Sequence, residues 1–350
     1  MPLATIKWVN NSIKLIDQRK LPGKLEYIYC RDLETLWDAI KTLSVRGAPA
    51  LGVASALGML LASKLFKGND KNKFLKFMEK SSAYIGSSRP TAVNLFNSLA
   101  RIEHIIKNNQ EKAISEIKKL VQNEAIAIYE EDRIVCRKMG KFGASFIKNG
   151  GTYMTICNAG SLATVDYGTA LGVFYAAQEQ KKQFKVYSLE TRPLLQGARL
   201  TSWELKKSGV DVTLICDNMA ASVMRNQRID GIFAGADRIA SNGDTANKIG
   251  TYSLGVLARF HEVPFYIVAP YSTFDLNIKD GTEIPIEQRS KEEVVNFHGV
   301  RTAPDNIKVF NPAFDVTPNY LIKAIITEEG IISPVNRSNI SHTFGTNAKK

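Results

Sequence analysis

The spacing of apolar residues changes after Gly150-Gly151, and this change constrains the fold more than any other feature of the chain. Short runs rich in β-branched and aromatic residues follow it, at 153–157, 185–189, 212–216, 231–234 and 265–269. Segments with helical spacing separate these runs, at 160–178, 196–208 and 252–261. Strands and helices that alternate in this way form a parallel sheet with helices on both faces. The sequence therefore predicts an α/β fold whose C-terminal part is a Rossmann-like open parallel sheet.

The N-terminal part of the chain has a different pattern. Two short strands, 6–9 and 13–16, flank Asn10-Asn11-Ser12, which is typical of the turn of a β-hairpin. From residue 32 to about 127 the spacing is helical, with breaks at 46–49 and 88–91 and a long helix from about 115 through Cys136. We therefore predict a mainly helical domain with a small β-hairpin at 1–128. The Rossmann-like domain is predicted at 129–350, with a frayed tail after about residue 335.

Composition is typical of a soluble globular protein. Of the 350 residues, 44% are hydrophobic and 23% are charged, which supports a packed core and excludes a mainly disordered chain. Apolar runs such as 54–62 are too short to span a bilayer, and the N-terminus lacks the hydrophobic stretch of a secretory signal. We predict a cytoplasmic protein without disulfides, because its cysteines are widely spaced and form no CxxC pair: Cys30, Cys136, Cys157 and Cys216.

The net charge of +12 raises the question of a nucleic-acid partner. Residues 1–125 contain 20 basic and 11 acidic residues, so most of the excess charge lies in the N-terminal part. This excess consists mainly of lysines scattered through helical stretches, without an accompanying stripe of aromatic or arginine residues. Such a pattern is typical of solvated helix faces, so we predict no nucleic-acid partner.

Polar or reactive residues follow each of the first four predicted strands. Because ligands of open α/β sheets bind beyond the carboxyl ends of the strands, these residues are expected at one common edge. The chain contains neither a G-x-G-x-x-G turn nor a P-loop there, which argues against a dinucleotide or a nucleoside triphosphate. The four segments are Cys157-Asn158-Ala159-Gly160, Glu190-Thr191-Arg192-Pro193, Asp217-Asn218-Met219 and Gly235-Ala236-Asp237-Arg238.

Two of these residues are candidates for chemistry. Cys157 is predicted where a strand meets a helix, and a helix N-terminus lowers the pKa of a thiol; the competing interpretation is a buried, inert cysteine. The other three cysteines are expected to be inert. Asp237 follows an apolar strand whose rim would desolvate the carboxyl and favour proton donation. Its competing interpretations are a helix N-cap and an ion pair with Arg238.

Three cationic segments offer places for a phosphate group. Asn247-Lys248 lies in a glycine-flanked segment, 243–250, predicted as a loop just before a helix. Arg46-Gly47-Ala48-Pro49 and Arg89-Pro90-Thr91 form similar junctions in the N-terminal domain. Each alone fits a solvated surface charge, whereas the three together fit a phosphorylated ligand held between the domains.

Several longer strings resemble the methylthioribose-1-phosphate isomerase family. This family shares a superfamily with the regulatory subunits of translation initiation factor 2B and with ribose-1,5-bisphosphate isomerase. The resemblance covers nearly the whole chain. It is carried by VRGAPALG (45–52), SSRPTAVNL (87–95), TICNAGSLAT (155–164), ETRPLLQGARLTSWEL (190–205), DNMAASVM (217–224), GADRIASNGDTANKIGTYSLGVLA (235–258) and NPAFDVTPNYLIKAIITEEGII (311–332).

The resemblance implies an aldose–ketose isomerase of methionine salvage that acts on 5-methylthioribose 1-phosphate. It implies Cys157 and Asp237 as the catalytic pair, a homodimer, no membrane association, and neither a cofactor nor a metal. None of the four histidines, His104, His261, His298 and His342, lies in a ligand cluster in the sequence. The substrate-binding positions that it implies are Arg46, Gly47, Ala48, Arg89, Gln196, Asn247 and Lys248.

Two alternatives remain open at the level of sequence. A 5-deoxyribose-1-phosphate isomerase would share the phosphate site and the Cys157–Asp237 pair, and would differ only where the 5-substituent packs. A non-enzymatic regulatory subunit of the initiation-factor type would share the fold alone. Within the isomerase interpretation, Cys157 acts as a base in proton transfer or assists a hydride shift.

Overall fold

The computed structural model describes residues 2–90, 92–297 and 299–345. By packing, the chain forms two units. Unit one contains Met1–Cys136 and Gly160–Gly168, and unit two contains Arg137–Ala159 and Thr169–Lys350. The domain division at residues 128 and 129 stays a prediction from the sequence.

Unit one begins with a three-stranded antiparallel sheet. The predicted hairpin is confirmed, since β1 (Ile6–Val9) pairs with β2 (Ser12–Ile16) through a turn in which Asn10 and Asn11 have left-handed φ angles of 49° and 56°. A third strand, β3 (Tyr27–Cys30), pairs with β2 and is not predicted from the sequence. Tyr27 and Tyr29 are exposed and Cys30 is buried, so this strand contacts the core with one face only.

From Leu33 onward the first stretch of unit one is mainly helical, as the helical spacing predicts. Its helices are α1 (Leu33–Lys41), α2 (Ala48–Leu65), α3 (Lys71–Ser87), α4 (Val93–Lys107) and the start of α5 (Ile114–Gly143), the long helix predicted from about residue 115. Aspartate side chains begin two of them. Asp32 accepts a hydrogen bond of 2.7 Å from the N–H of Thr35 in α1, and Asp70 accepts one of 3.0 Å from the N–H of Lys73 in α3.

The central helix of unit one is α2. By length and composition α2 is apolar enough to cross a bilayer, which differs from the expectation drawn from the shorter apolar runs. Its residues 50–63 are all buried inside the protein, and the surrounding core includes Leu36, Ile85 and Leu99. This burial is typical of the core helix of a globular unit.

Unit two is built on a seven-stranded sheet, so the predicted α/β fold class is confirmed. The elements of this sheet and its connecting helices are β4 (Gly151–Thr155), α6 (Ala170–Glu179), β5 (Phe184–Leu189), α7 (Ser202–Lys207), β6 (Asp211–Ile215), α8 (Ala220–Asn226) and β7 (Gly231–Ala234). A second sheet and further connections follow with β8 (Arg238–Ala240), β9 (Thr245–Lys248), α9 (Thr251–Phe260), β10 (Phe265–Val268), β11 (Phe274–Asp275), α10 (Glu292–Val295), β12 (Asn296–Phe297) and β13 (Val300–Arg301). The last elements are β14 (Phe314–Thr317), β15 (Ala324–Thr327), β16 (Gly330–Ile332) and α11 (Arg337–Gly345).

The large sheet has the strand order β16-β15-β10-β7-β4-β5-β6. Its pairs from β15 to β6 are parallel, and β16 is antiparallel to β15. The strands β7, β10 and β15 are buried along their whole length, as expected for strands covered on both faces. Four strands that come after β7 in the chain form a smaller, separate sheet with the order β11-β8-β9-β14.

The helix predicted over residues 160–178 begins only at Ala170, so the first part of that prediction is wrong. The segment 160–168 belongs to unit one, where distant groups bind its backbone. The carbonyl of Val165 accepts a hydrogen bond of 2.7 Å from the N–H of Thr5, and its N–H donates one of 2.7 Å to Asp132 Oδ2. Gln18 Nε2 donates to the carbonyl of Leu162 at 2.7 Å. These backbone groups are therefore not available for helical hydrogen bonds.

The frayed tail predicted after about residue 335 is also wrong for the residues that the structure describes. Residues 337–345 form α11, in which Ile340 and Phe344 are buried. Asn336 begins the helix, because its Oδ1 accepts a hydrogen bond of 2.9 Å from the N–H of Asn339. Polar composition hides this helix in the sequence, since only two large apolar side chains anchor it.

Asp132 gives unit one a pH-dependent contribution to stability. Burial outweighs the hydrogen bond from Val165 and raises the pKa of the Asp132 carboxyl from 3.8 to about 7. The folded state therefore binds this proton more tightly than the unfolded state does. The resulting stabilisation is fully present below about pH 4 and is lost as the pH rises through about 7.

We predict that Asp132→Asn removes this dependence, because an amide does not titrate in this range. Between pH 5 and pH 8 the variant should lose less unfolding free energy than the wild type, by about 2–3 kcal/mol. Urea denaturation at the two pH values measures the difference, with Asp211→Asn as an exposed control. Equal losses in the wild type and Asp132→Asn would contradict the assignment.

Candidate active site

Cys157 lies in a loop, two residues after the end of β4. The predicted strand 153–157 thus ends earlier, and the predicted helix N-terminus at Cys157 is wrong, since α6 begins at Ala170. The φ angle of Cys157 is +62°, a left-handed conformation that is uncommon for a residue with a side chain. Its side chain is half-buried. A rigid surrounding must hold this conformation.

Two threonine hydroxyls hold the backbone of Cys157. Its N–H donates to Thr191 Oγ1 at 2.8 Å, and its carbonyl accepts from Thr201 Oγ1 at 2.6 Å. Both threonines are completely buried. Both threonines lie in the connection between β5 and α7, residues 190–201.

Thr191 is itself held by Asp217, which follows the neighbouring strand β6. Its φ angle is +65°, and its N–H donates to Asp217 Oδ1 at 2.8 Å. The N–H of Arg192 donates to the other carboxylate oxygen at 2.7 Å. Hydrogen bonds therefore join the loops that follow β4, β5 and β6, as expected for strand ends that meet at one edge.

A buried polar network lies behind Cys157. Asn158 Nδ2 donates to Thr201 Oγ1 at 3.1 Å and to Glu204 Oε1 at 2.7 Å. The second oxygen of Glu204 accepts from the hydroxyl of Tyr175 at 3.1 Å. Asn158 and Glu204 are each 3% exposed. A carboxylate at this depth is retained only where donors surround it, and these donors fix the side chains around Thr201.

Gln196 lies in the same connection and is 5% exposed. It precedes a turn of π-helix, Gly197–Thr201, that leads into α7. A side chain at Gly197 would overlap the carbonyl oxygen of Leu189, so this turn packs directly on the end of β5. Gln196 Oε1 is buried and has no hydrogen-bond partner among the residues that the structure describes. An unpaired amide group of this kind is suited to a polar ligand.

Asp237 lies three residues after the end of β7, immediately before β8. Its N–H donates to the carbonyl of Ala246 in β9 at 2.9 Å. Asp237 is exposed, whereas the sequence predicts that its carboxyl is partly desolvated. The interpretation of Asp237 as a helix N-cap is wrong, because a strand follows it. The neighbouring Arg238 forms an ion pair with Asp275 at 3.6 Å.

Asn247 and Lys248 lie on strand β9, and not in a loop as predicted. Pairing with β14 explains the difference, since Lys248 is opposite Phe314 in the ladder. Asn247 Nδ2 donates to Thr251 Oγ1 at 2.9 Å. Lys248 Nζ donates to the carbonyl of Ala313 at 3.0 Å and lies 4.7 Å from the centre of the Phe314 ring. Both side chains are therefore held in place by β14 and the start of α9.

The N-terminus of α9 is already occupied by a carboxylate. Asp315 accepts hydrogen bonds from the N–H groups of Gly250, at 2.7 Å, and Tyr252, at 3.0 Å. Burial raises the pKa of Asp315 against these hydrogen bonds. A helix end with an acceptor in place is a poor phosphate site, so the phosphate prediction at this junction depends on Lys248 and not on the helix.

The candidate residues of unit one lie at two helix ends. Gly47 begins α2 with a φ angle of 94°, and a Cβ atom there would lie 2.5 Å from the carbonyl oxygen of Ala163. Only glycine fits this position. Arg46 precedes it and is half-buried, and Ala48 is the first residue of α2. Arg89 is half-buried and follows α3, and the neighbouring Thr91 lies outside the described residues.

Sequence reasoning missed the role of Thr201 and Asp217. Asp217 is among the residues that follow strands, which is a signal for the edge of the sheet but not for its contact with Thr191. Thr201 lies inside a predicted helix, and nothing in its spacing indicates a bond to Cys157. No group of three or more potential metal ligands occurs within 2–90, 92–297 and 299–345, and His298 lies outside these ranges.

Comparison with known proteins identifies close relatives over the full length. The model of the initiation factor 2 subunit family matches residues 44–334. The 5-deoxyribose 1-phosphate isomerase of Moorella thermoacetica is 51% identical over 340 residues, which cover 97% of each chain. The methylthioribose-1-phosphate isomerase 1 of Pseudothermotoga lettingae is 51% identical over 97% of this chain and 98% of its own.

Solved structures give the same result. The 5-methylthioribose 1-phosphate isomerase of Pyrococcus horikoshii is 44% identical, covers 98% of this chain and 96% of its own, and superposes with a TM-score of 0.95. A structure from A. fulgidus described as subunit delta of initiation factor eIF-2B is 45% identical, covers 98% and 99%, and has a TM-score of 0.91. The family resemblance stated from the sequence is thus confirmed.

We predict that Cys157 is the first cysteine to be alkylated by iodoacetamide at pH 8. Cys30 and Cys136 are buried, and burial raises the pKa of Cys30 to about 12. The neighbouring Glu190 carboxylate raises the pKa of Cys216. Peptide mapping after limited reaction measures the order, and Cys157→Ser should lose the fast phase. Faster modification of Cys216 would contradict the prediction.

Proposed function

The chain belongs to the initiation factor 2 subunit family, and on that premise we propose that it is an aldose–ketose isomerase. The proposed reaction converts 5-methylthioribose 1-phosphate to 5-methylthioribulose 1-phosphate, a step of methionine salvage. The observation that carries the proposal is Cys157, a half-buried thiol held in a left-handed conformation at the carboxyl end of the central parallel sheet. Left-handed conformations of residues with a side chain are concentrated at active sites, which supports a catalytic role for this cysteine.

The chemistry assigns different tasks to the two catalytic residues. Phosphate on the anomeric oxygen prevents simple opening of the sugar ring, so an acid must protonate the ring oxygen as the bond to C1 breaks. We assign this task to Asp237. The hydrogen on C2 then moves to C1 while the C2 hydroxyl releases its proton, which replaces the proton that Asp237 gave to the ring oxygen. The product has a ketone at C2 and the phosphate ester on C1. Cys157 is assigned to this second step, as the base of a proton transfer or as the group that assists a hydride shift.

Phosphate recognition is assigned to cationic and amide side chains. In unit two, Lys248 supports this role, because an ammonium group has three donors and only one is directed to Ala313. The unpaired amide oxygen of Gln196 and the anchored Asn247 support contacts with the sugar. In unit one the proposed residues are Arg46, Gly47, Ala48 and Arg89.

A second candidate substrate is 5-deoxyribose 1-phosphate, which the 51% identical relative from Moorella thermoacetica favours. The two substrates differ by a methylthio group. We expect kcat/KM for the methylthio sugar to be higher by about tenfold, since an apolar group of this size contributes that much in a fitted pocket. Assays with both sugar phosphates decide the matter. A preference for the deoxy sugar would favour the alternative, and turnover of neither would defeat the isomerase proposal.

We also propose that the chain forms a homodimer and that it is located in the cytoplasm. On α9, Tyr252, Val256 and Phe260 are four residues apart and therefore lie on one face, and they are exposed by 41%, 42% and 80%. A second copy of the chain would cover this apolar stripe. Sedimentation velocity tests this: the wild type should sediment as a dimer and Phe260→Asp as a monomer, and a monomeric wild type would contradict the proposal.

Asp237→Asn tests the proton donor. The amide keeps the shape of the side chain but carries no acidic proton, so kcat should fall by about two orders of magnitude or more with little change in KM. Steady-state kinetics on the folded variant measure this. Asp211→Asn, at the opposite end of β6, is the matched control and should retain full activity. Near-native turnover by Asp237→Asn would remove this residue from the mechanism.

Lys248→Ala tests the division between binding and chemistry. Because the phosphate does not react, loss of its partner should raise KM by about tenfold and change kcat little. The same result is expected for Arg46→Ala. The exposed Lys185→Ala on β5 serves as the control. A variant that loses kcat at unchanged KM would place its residue in the chemical steps.

A further inference from the structure

We infer that Thr191 and Thr201 are positioning residues for Cys157: together their hydroxyls fix the left-handed peptide from which the thiol acts. The inference rests on the proposed function, because it concerns the residue assigned to hydrogen transfer. Neither threonine is among the catalytic or substrate-binding residues named above. The role is distinct from catalysis, since each hydroxyl reaches the backbone of Cys157 and not its sulfur.

Each of the two hydroxyls donates one hydrogen bond and accepts another. Thr191 Oγ1 accepts from the N–H of Cys157 at 2.8 Å and donates to the carbonyl of Leu189 at 3.1 Å. Thr201 Oγ1 donates to the carbonyl of Cys157 at 2.6 Å and accepts from Asn158 Nδ2 at 3.1 Å. A hydroxyl has one proton to donate, so the direction of each bond is determined. The N–H of Cys157 is therefore held by an acceptor, Thr191 Oγ1, and its carbonyl by a donor, Thr201 Oγ1.

Each threonine is supported from a different side. Thr191 is anchored through its N–H to the Asp217 carboxylate, which follows β6. Thr201 is linked through Asn158 to the buried Glu204, which also accepts from Tyr175. The backbone of Cys157 is thus connected to two rigid parts of unit two. Such a connection holds a backbone conformation that is unfavourable for a residue with a side chain.

A purely structural role for buried threonines predicts a different outcome from a positioning role. Loss of a structural hydroxyl lowers stability without changing the reactivity of Cys157. Loss of a positioning hydroxyl lets the Cys157 peptide relax, which moves the thiol relative to the substrate. A displacement of about 1 Å is enough to lower turnover by a large factor.

The test compares Thr191→Val, Thr201→Val, Thr191→Ser and Thr201→Ser. Valine keeps the shape of threonine and removes the hydroxyl, whereas serine keeps the hydroxyl. For the valine variants we expect kcat to fall by about tenfold or more at a KM within about twofold of the wild type. In the valine variants the rate of Cys157 alkylation without substrate should fall together with kcat. In the serine variants both kcat and the alkylation rate should stay within about threefold of the wild type. Thr213→Val, exposed on β6, is the control.

Several results would overturn the inference. These are wild-type kcat and alkylation in both valine variants, loss of kcat with unchanged alkylation, and equal losses in the serine and valine variants. If Thr191→Val does not fold, Asp217→Asn replaces it, because asparagine offers only one oxygen to the two N–H groups of Thr191 and Arg192. If Thr201→Val does not fold, Thr201→Ala replaces it, because alanine also removes the hydroxyl that binds the Cys157 carbonyl. Either replacement should show lower kcat and altered alkylation of Cys157, and unchanged values would contradict the inference.

The alkylation readout separates this inference from the proposed function. If the wild type turns over no sugar phosphate, the proposed function fails, and the alkylation rates of the same variants still decide whether the hydroxyls hold Cys157. If Cys157→Ser retains full activity, the assignment of the thiol fails. If Cys157 is required but the valine variants behave as the wild type in both readouts, the positioning role alone is wrong.

Discussion

The parallel pairing of β4 with its neighbours is the constraint on which the rest of unit two depends. Thr155 of β4 lies opposite Ser188 of β5, and Leu189 of β5 lies opposite Ile215 of β6, so the three strands end within one residue of one another. Two residues beyond each strand end lie Cys157, Thr191 and Asp217, which hydrogen bonds join into one structure. The register of the sheet thereby determines which of the residues after the strands come into contact. The apolar side chains of the strands set this register and form no part of the proposed site.

The sequence predicts the elements that depend on local pattern. The five predicted strands of the large sheet, the hairpin around Asn10-Asn11 and the long helix α5 are confirmed, because apolar spacing and turn residues determine them directly. The strands β15 and β16 of the same sheet are not predicted from the sequence. The segment 160–168 and strand β9 are mispredicted for a common reason. Their backbone groups bind partners far away in the sequence, Thr5 and Asp132 for Val165 and the strand β14 for Lys248, and no local pattern reports such pairing.

For the candidate site, the sequence identifies the strand ends but not their internal connections. The positions of Cys157 and Asp237 after β4 and β7 follow from the strand pattern, while their proposed roles follow from the family resemblance. The left-handed conformation of Cys157 and its two threonine partners are not visible in the sequence, since Thr201 has the spacing of an ordinary helical residue. The exposed Asp237 and the carboxylate of Asp315 at the N-terminus of α9 likewise depend on how β8, β9 and β14 pair.

The central claim is that a strained cysteine at the end of β4 makes this chain an isomerase of a sugar 1-phosphate. The most direct measurement follows the carbon NMR spectrum of 5-methylthioribose 1-phosphate during incubation with the purified wild type and with Cys157→Ser. The account predicts that a ketone carbon signal replaces the anomeric signal with the wild type and that the substrate spectrum persists with Cys157→Ser. An unchanged spectrum with the folded wild type, or conversion at the same rate by Cys157→Ser, would contradict it.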